Sequence, residues 1–256
     1  MIINFDQYGE DANKKPLIII HGLYGSAANF RGLAKIYAND FIVFCIDLRN
    51  HGNSPHSDEI TYSLMAEDVI EFMDNQGIKK AHILGHSMGG KTAMQLALNH
   101  PERVDKLVIG DIAPVEYPHH HETIFEGLLA IPVANVESRG EAEQILKHYV
   151  EEPGVRLFLL TNLLRTDDGN GFKWRINLPA LIGEYKNIQA APDGISYDGE
   201  TLFIRGANSE YVADEYVPET LEFFPNASIE TIDDCGHWLH SEKPKEFSEI
   251  LLKFLK

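Results

Sequence analysis

Residues Gly85, His86, Ser87, Met88 and Gly89 form the pattern G-x-S-x-G, a spacing in which a serine can serve as a nucleophile. An apolar run at 81–84 precedes the pattern and a helical stretch at 88–100 follows it. A serine between strand and helix stands on a turn so sharp that a side chain at either flanking glycine would strike backbone, and its Oγ projects above the sheet. The stretch from Gly85 to Thr92 also fits G-x-x-x-x-G-K-S/T, the phosphate cradle of nucleotide hydrolases. Apolar runs ending at Asp47 or Asp111 would then read as magnesium-binding strands. Four points favour the serine. A phosphate loop usually follows an early strand, whereas this pattern follows about the fourth. The turn accounts for His86 and Ser87. The chain supplies the remaining parts of an acyl-transfer site. Lys91 reads as a solvated residue near the start of the helix.

Acyl transfer needs a base, an acid and donors for the oxyanion. His237 stands in Asp234-Cys235-Gly236-His237-Trp238-Leu239-His240, after the last strand and before the C-terminal helix, a place that suits the base. Activity should then fall as pH drops, because a protonated imidazole accepts no proton and a histidine ordinarily titrates near ~6.5. His240 reads as structural. His21-Gly22-Leu23 follows the apolar run 17–20, and the backbone N–H of Leu23 can face the developing charge together with the N–H of Met88. Two such donors are worth several kcal/mol of barrier; the plainer reading is an ordinary glycine turn. His119, His120 and His121 are three adjacent histidines that cannot all face one ion from a regular element, so they read as a solvated loop and no metal is expected. Asp233-Asp234 and Asp58-Glu59 read as solvated pairs.

Apolar runs at 17–20, 41–46, 81–84, 107–109 and 202–204 read as buried strands, and 2–5 and 228–232 as outer ones. Helical periodicity lies between them. Met65, Val69, Phe72 and Met73 recur at helical spacing and Gly77 ends the turn. Phe247, Ile250, Leu251, Phe254 and Leu255 form one stripe that begins near Pro244. The alternation predicts an α/β fold with a mostly parallel sheet covered on both faces, and chemistry in the loops at the carboxyl ends of its strands. The rhythm breaks between Pro114 and Pro192. That stretch shows no convincing strand, helices near 123–130, 141–150, 155–164 and 179–186, and a turn at 167–171 separating two of them. The predicted organisation is a core of residues 1–113 and 196–256 with a helical cap, or lid, at 114–195.

The chain has 256 residues and a formal net charge of -17, with 44% hydrophobic residues, enough for a core and unsuited to a phosphate backbone or an anionic membrane. No apolar run approaches the ~20 residues of a membrane helix. The N-terminal stretch lacks the pattern of a signal peptide. Cys45 lies in an apolar run and reads as a buried thiol; with Cys235 it makes only two cysteines, neither a disulfide framework nor a zinc pattern. A cytoplasmic location is expected. The sequence leaves monomer and homodimer open.

The segments HGLYGSAANF (21–30), DLRNHGNSPH (47–56), GHSMGGK (85–91), DIAPVEY (111–117), GANSEYV (206–212) and GHWLHSEKP (236–244) together resemble the α/β-hydrolase superfamily and, more narrowly, the YbfF-like esterases. The resemblance spans nearly the whole chain. It implies a serine hydrolase of carboxylic esters, with acyl-CoA thioesters as further candidate substrates, a helical cap and no cofactor. Ser87 would be the nucleophile and His237 the base, with Leu23 and Met88 donating to the oxyanion. Other chemistries of the fold stay as alternatives: carbon–carbon bond hydrolysis, cofactor-free haloperoxidation, or a non-catalytic binding member. An aspartate nucleophile is disfavoured by Ser87. One departure stands out. Where many relatives carry the acid in a G-x-x-D pattern, this chain has Gly206-Ala207-Asn208-Ser209. Asp111 is the expected acid, since it follows strand 107–109, lies between Ser87 and His237 in order and opens DIAPVEY; the plainer reading is that it caps the start of the lid. Glu210 is its rival and Asp214 a third. Phe158, Trp174 and Tyr185 are candidates to line an acyl pocket, with core packing the other explanation.

Overall fold

A computed structural model describes residues 1–118 and 121–256. The chain order is β1 (Phe5–Tyr8), β2 (Pro16–Ile20), α1 (Arg31–Tyr37), β3 (Ile42–Ile46), α2 (Tyr62–Asn75), β4 (Ala81–His86), α3 (Met88–Asn99) and β5 (Val104–Gly110). Then come α4 (Glu122–Ala130), α5 (Arg139–Leu146), α6 (Pro153–Leu160), β6 (Leu163–Arg165), β7 (Phe172–Trp174), α7 (Leu178–Gly183) and α8 (Tyr185–Gln189). The chain closes with β8 (Thr201–Gly206), α9 (Val217–Phe223), β9 (Ala227–Ile232), α10 (Leu239–Glu242) and α11 (Pro244–Leu255).

Seven strands form one sheet in the order β1-β3-β2-β4-β5-β8-β9. All neighbours are parallel except β1, which runs antiparallel to β3. The outer strand expected at 2–5 therefore lies slightly later. Alternation within the strands divides the core in two. Ile18, Ile20, Phe44, Ile46, Ile83, Leu107, Ile109 and Phe203 pack with α2 and α3. Leu17, Ile19, Val43, Cys45, Leu84, Val108 and Ile204 pack with α1 and α11. A sheet buried on both faces explains why its strands read as unbroken apolar runs. The order reverses between β2 and β4, so their carboxyl ends splay apart and leave a crevice, the place where open α/β sheets bind ligands. His21-Gly22-Leu23 leaves β2 there and Ser87 leaves β4.

The stretch between β5 and β8 departs from the sequence reading. Residues 163–165 and 172–174 pair as an antiparallel hairpin, Leu163 opposite Trp174. The 167–171 turn thus joins two strands and does not separate helices; Gly169 (φ +75°) and Gly171 (φ +98°) supply its left-handed positions. Helix α6 ends at Leu160, and the helix expected at 179–186 is two short ones. Three-residue strands carry too little alternation to register beside the helical apolar pattern that flanks them. Side chains tie this stretch to the core. Asn162 Nδ2 donates to the Tyr24 carbonyl at 2.7 Å, and Asn177 Nδ2 to Asn50 Oδ1 at 3.0 Å. Asn50, with φ of 66°, belongs to the DLRNHG segment, whose Arg49 makes a two-point ion pair with buried Asp68 at 2.7 and 3.0 Å. Among the described residues, no helix is long and apolar enough to cross a membrane.

Candidate active site

Ser87 sits in the left-handed region, φ 54° and ψ -122°, and its N–H donates to the Gly110 carbonyl at 2.9 Å. The neighbouring glycines are required by contact. A Cβ on Gly85 would come within 2.2 Å of the Gly89 carbonyl oxygen, and one on Gly89 within 2.4 Å of the carbonyls of Ile20 and His21. The close approach of Gly89 is what brings α3 against β2. Gly22 lies over the serine, since a Cβ there would stand 3.2 Å from that of Ser87. The segment carrying Leu23 and the first turn of α3, which carries Met88, thus flank Ser87 together.

Three histidines shape the loops around it. The Leu48 N–H donates to His21 Nε2 at 3.1 Å, so His21 Nδ1 carries the proton and donates to the Gly22 carbonyl at 2.8 Å. His86 Nε2 donates to the His237 carbonyl at 2.8 Å, which moors the late loop to the serine turn. His237 in turn donates from Nδ1 to Asp111 Oδ2 at 2.7 Å, leaving its Nε2 lone pair free. Asp111 is fully buried and adopts φ 49°, a conformation that aspartate tolerates better than most residues. Its Oδ1 accepts from the Gly206 N–H at 3.0 Å, and the Ser209 hydroxyl donates to Oδ2. Ser209, at the position where an acid was missing, is therefore a donor to the carboxylate that stands elsewhere. Glu210 is exposed; Asp214 is also exposed and pairs with Arg205 at 2.7 Å.

Ser87 and His237 open on one cavity of about 160 Å³, bordered by Leu23, Phe30, Ile124, Val155, Phe158 and Trp238. Phe158 lines it, Tyr185 lines a smaller adjoining chamber, and Trp174 lines neither. Trp174 is packed against the core. His121 is half-buried, hydrogen-bonded to the Tyr185 hydroxyl and part of the cavity wall, so the solvated reading fails for it. His119 and His120 lie outside the described residues. His240 stacks on Phe30 with ring centroids 4.4 Å apart, in keeping with a structural part. Lys91 corrects the sequence reading outright. It is 1% exposed, and its Nζ donates to the carbonyls of Gln189 at 2.8 Å and Ala190 at 2.6 Å. Helix α3 is buried on almost every side, so one turn from its start there is no solvated face. A lone charge in an otherwise uncharged twelve-residue helix was the available signal. The roles of His21, His86 and Ser209 had none, because each depends on a partner distant in sequence.

Burial lowers the pKa of several imidazoles: His86 well below its usual value, His51, whose ring centroid lies 5.2 Å from that of His21, to about 3, and His240 to about 4. His82, outside the site, is also lowered to about 4 by burial. A lowered folded pKa means that the unfolded chain gains protons first as pH falls through ~6.5. Stability is therefore full above that value and declines below it, by up to about 1.4 kcal/mol per histidine per pH unit. The melting temperature is expected to drop between pH 6.5 and 5, above the range of ordinary carboxylates near ~4. A melting temperature constant across that window would contradict the neutral, buried state of these rings.

A sheet reversing at a serine elbow, with a buried carboxylate behind a late histidine, defines an α/β hydrolase. The family model described as alpha/beta hydrolase fold matches residues 15–138. Esterase YbfF of Escherichia coli (strain K12) is 38% identical over 244 residues, which cover 95% of this chain and 94% of that protein. The sn-1-specific diacylglycerol lipase ABHD11 of Mus musculus is 38% identical, covering 99% of this chain and 85% of its own. The solved structure of a marine microorganism esterase superposes with a TM-score of 0.96 at 39% identity and covers 99% of both chains. This chain belongs to the α/β-hydrolase family, and within it to the YbfF-like esterases, serine hydrolases of carboxylic esters.

Proposed function

We propose that the protein hydrolyses carboxylic esters through an acyl-enzyme on Ser87, with His237 as base and Asp111 as the acid of the triad. The observation that carries this is the short His237–Asp111 contact, 2.7 Å, behind a strained serine in the same cavity. Ser87 Oγ attacks the ester carbonyl while His237 Nε2 takes its proton. The N–H groups of Leu23 and Met88 receive the oxyanion. As the tetrahedral intermediate collapses, the carbon–oxygen bond to the alcohol breaks and His237 hands the proton to the leaving oxygen. Water then attacks the acyl-enzyme, giving its proton to His237, and Ser87 leaves with that proton and releases the acid. A thioester carbonyl, as in an acyl-CoA, is open to the same attack with a thiol leaving. Residues 114–195 serve as a cap over this cavity. The two free thiols, Cys45 and Cys235, are both buried and accord with a reducing compartment such as the cytoplasm.

Incubation with a fluorophosphonate followed by peptide mass spectrometry is expected to place one adduct on Ser87. An adduct elsewhere would overturn the assignment. The cap is also expected to govern substrate size. Phe158→Ala should change the ratio of kcat/KM for octyl acetate to that for ethyl acetate by about fivefold or more, within the range of hydrophobic pocket contacts. An unchanged ratio would make Phe158 a packing residue only.

A further inference from the structure

Tyr211 has no part in the hydrolytic reading, yet it lies against the base. It follows Ser209 by two positions in the loop after β8, and its ring centroid is 4.2 Å from that of His237, with the planes inclined by 31°. Among the described residues it is the nearest ring to His237; His86 lies at 4.8 Å and Trp238 at 5.7 Å. Both main-chain groups of Tyr211 are tied down. Its N–H donates to Ser209 Oγ at 3.3 Å, and its carbonyl accepts from the Tyr117 hydroxyl, which itself accepts from the Ala113 N–H at 2.9 Å. The Tyr117 ring packs beside it, 5.3 Å between centroids. Anchored from the loops after β5 and β8, the ring needs no further ordering to meet the imidazole.

The contact bears on orientation first. The bond to Asp111 fixes one atom of the imidazole, but the ring can still pivot there and turn about Cβ–Cγ, a broad torsion. A flat surface at stacking distance removes that freedom. It bears on charge as well. The face of a tyrosine ring is the negative end of its quadrupole and attracts a cation more strongly than a neutral group. A base must be neutral at rest and becomes a cation only as Ser87 gives up its proton, so the contact favours the transition state over the ground state. The other titratable groups around His237 leave this effect visible. Asp111, in the loop after β5, is the facing carboxylate. His86 at the end of β4 and His240 on α10 are lowered by burial, His240 to about 4, and stay uncharged where an ordinary histidine titrates near ~6.5. Burial pushes the Tyr211 hydroxyl up to about 12, so it too is uncharged there. Glu242 is engaged with the main chain on either side, accepting from the Gly236 N–H at 2.7 Å and the Trp238 N–H at 3.1 Å.

We infer that Tyr211 is a positioning residue for the base: its ring sets the plane of the His237 imidazole, and its face stabilises the imidazolium that forms in the transition state. This rests on the assignment of His237 as base.

Tyr211→Leu keeps an apolar side chain and removes the π face. On ethyl acetate its kcat is expected to fall about fivefold or more, and the acidic limb of kcat/KM, which reports the free enzyme, should move down by about half a pH unit. The sign follows from the charge. An imidazolium held less strongly loses its proton at lower pH, so the variant is slower on its plateau yet keeps that plateau further into acid. Tyr211→Phe restores the ring and should recover most of the rate and the original limb. Pentafluorophenylalanine in place of Tyr211 has the shape of phenylalanine with the charge of its face reversed. It should move the limb as leucine does, and it keeps the test decisive if Tyr211→Leu does not fold. A limb that stays in place in either variant overturns the inference, because a residue that only packs or only binds substrate changes the melting temperature or KM and leaves the limb alone. A Tyr211→Phe protein as slow as Tyr211→Leu overturns it too, since the hydroxyl would then be the group at work. An acidic limb that persists in the residual activity of His237→Ala is a separate result, which removes the base assignment itself.

Discussion

Ser87→Ala is expected to lower kcat on a simple ester about 10⁶-fold, the scale of loss when the serine of a comparable triad is removed. Some ~10³–10⁴-fold of catalysis over water should survive from the oxyanion donors and substrate binding. The fold should survive as well. The strained turn is imposed by close packing at Gly85 and Gly89, where an added Cβ would approach backbone oxygens to 2.2 and 2.4 Å, and alanine in place of serine leaves that packing untouched. An unchanged melting temperature with activity lost is the expected pair of results. Retention of more than about 1% of kcat, after contamination is excluded by active-site titration, would refute a covalent role for Ser87.

Asp111→Asn should cost about 10⁴-fold in kcat with KM little changed, as the equivalent change does in a well-studied triad. The carboxylate accepts from the His237 Nδ1–H, the Ser209 hydroxyl and the Gly206 N–H. An amide keeps one acceptor and adds two donors. It turns a donor toward His237 Nδ1, the imidazole shifts its proton to Nε2, and the atom that should receive the serine proton is already protonated. The charge formed on His237 also loses its counter-ion. Glu210→Gln is expected to cost less than about tenfold, roughly 1.4 kcal/mol, because Glu210 is exposed. If the ranking were reversed with both variants folded, the acid role would pass to Glu210.

Local chemistry was legible in the sequence. The serine elbow depends on five consecutive residues, and its glycines are dictated by steric contacts within the turn and its immediate packing. The buried strands also announce themselves, because a strand covered on both faces must be apolar at nearly every position. Helices α2 and α11 carry their own periodicity; the cap of α2, with the Leu64 N–H donating to Thr61 Oγ1 at 3.1 Å, came from the structure.

What tertiary structure alone decided are the pairings across long separations. Asp111 and His237 are 126 positions apart, and the side-by-side placement of β5, β8 and β9 brings the loop after β5 beside the loops after β8 and β9. Any of several acidic residues satisfied the chain order; burial, the donors Gly206 and Ser209, and the reach to Nδ1 are what support the proposal of Asp111 as the acid. The same holds for the hairpin of β6 and β7, whose three-residue strands gain stability from pairing and not from pattern. It holds most clearly for Lys91. Residue type predicted a solvated ammonium, yet α8 closes over α3 and replaces water with the carbonyls of Gln189 and Ala190. A sequence specifies which groups a helix carries; which of its faces meet solvent is set by the segments that pack against it, here one almost 100 residues further along the chain.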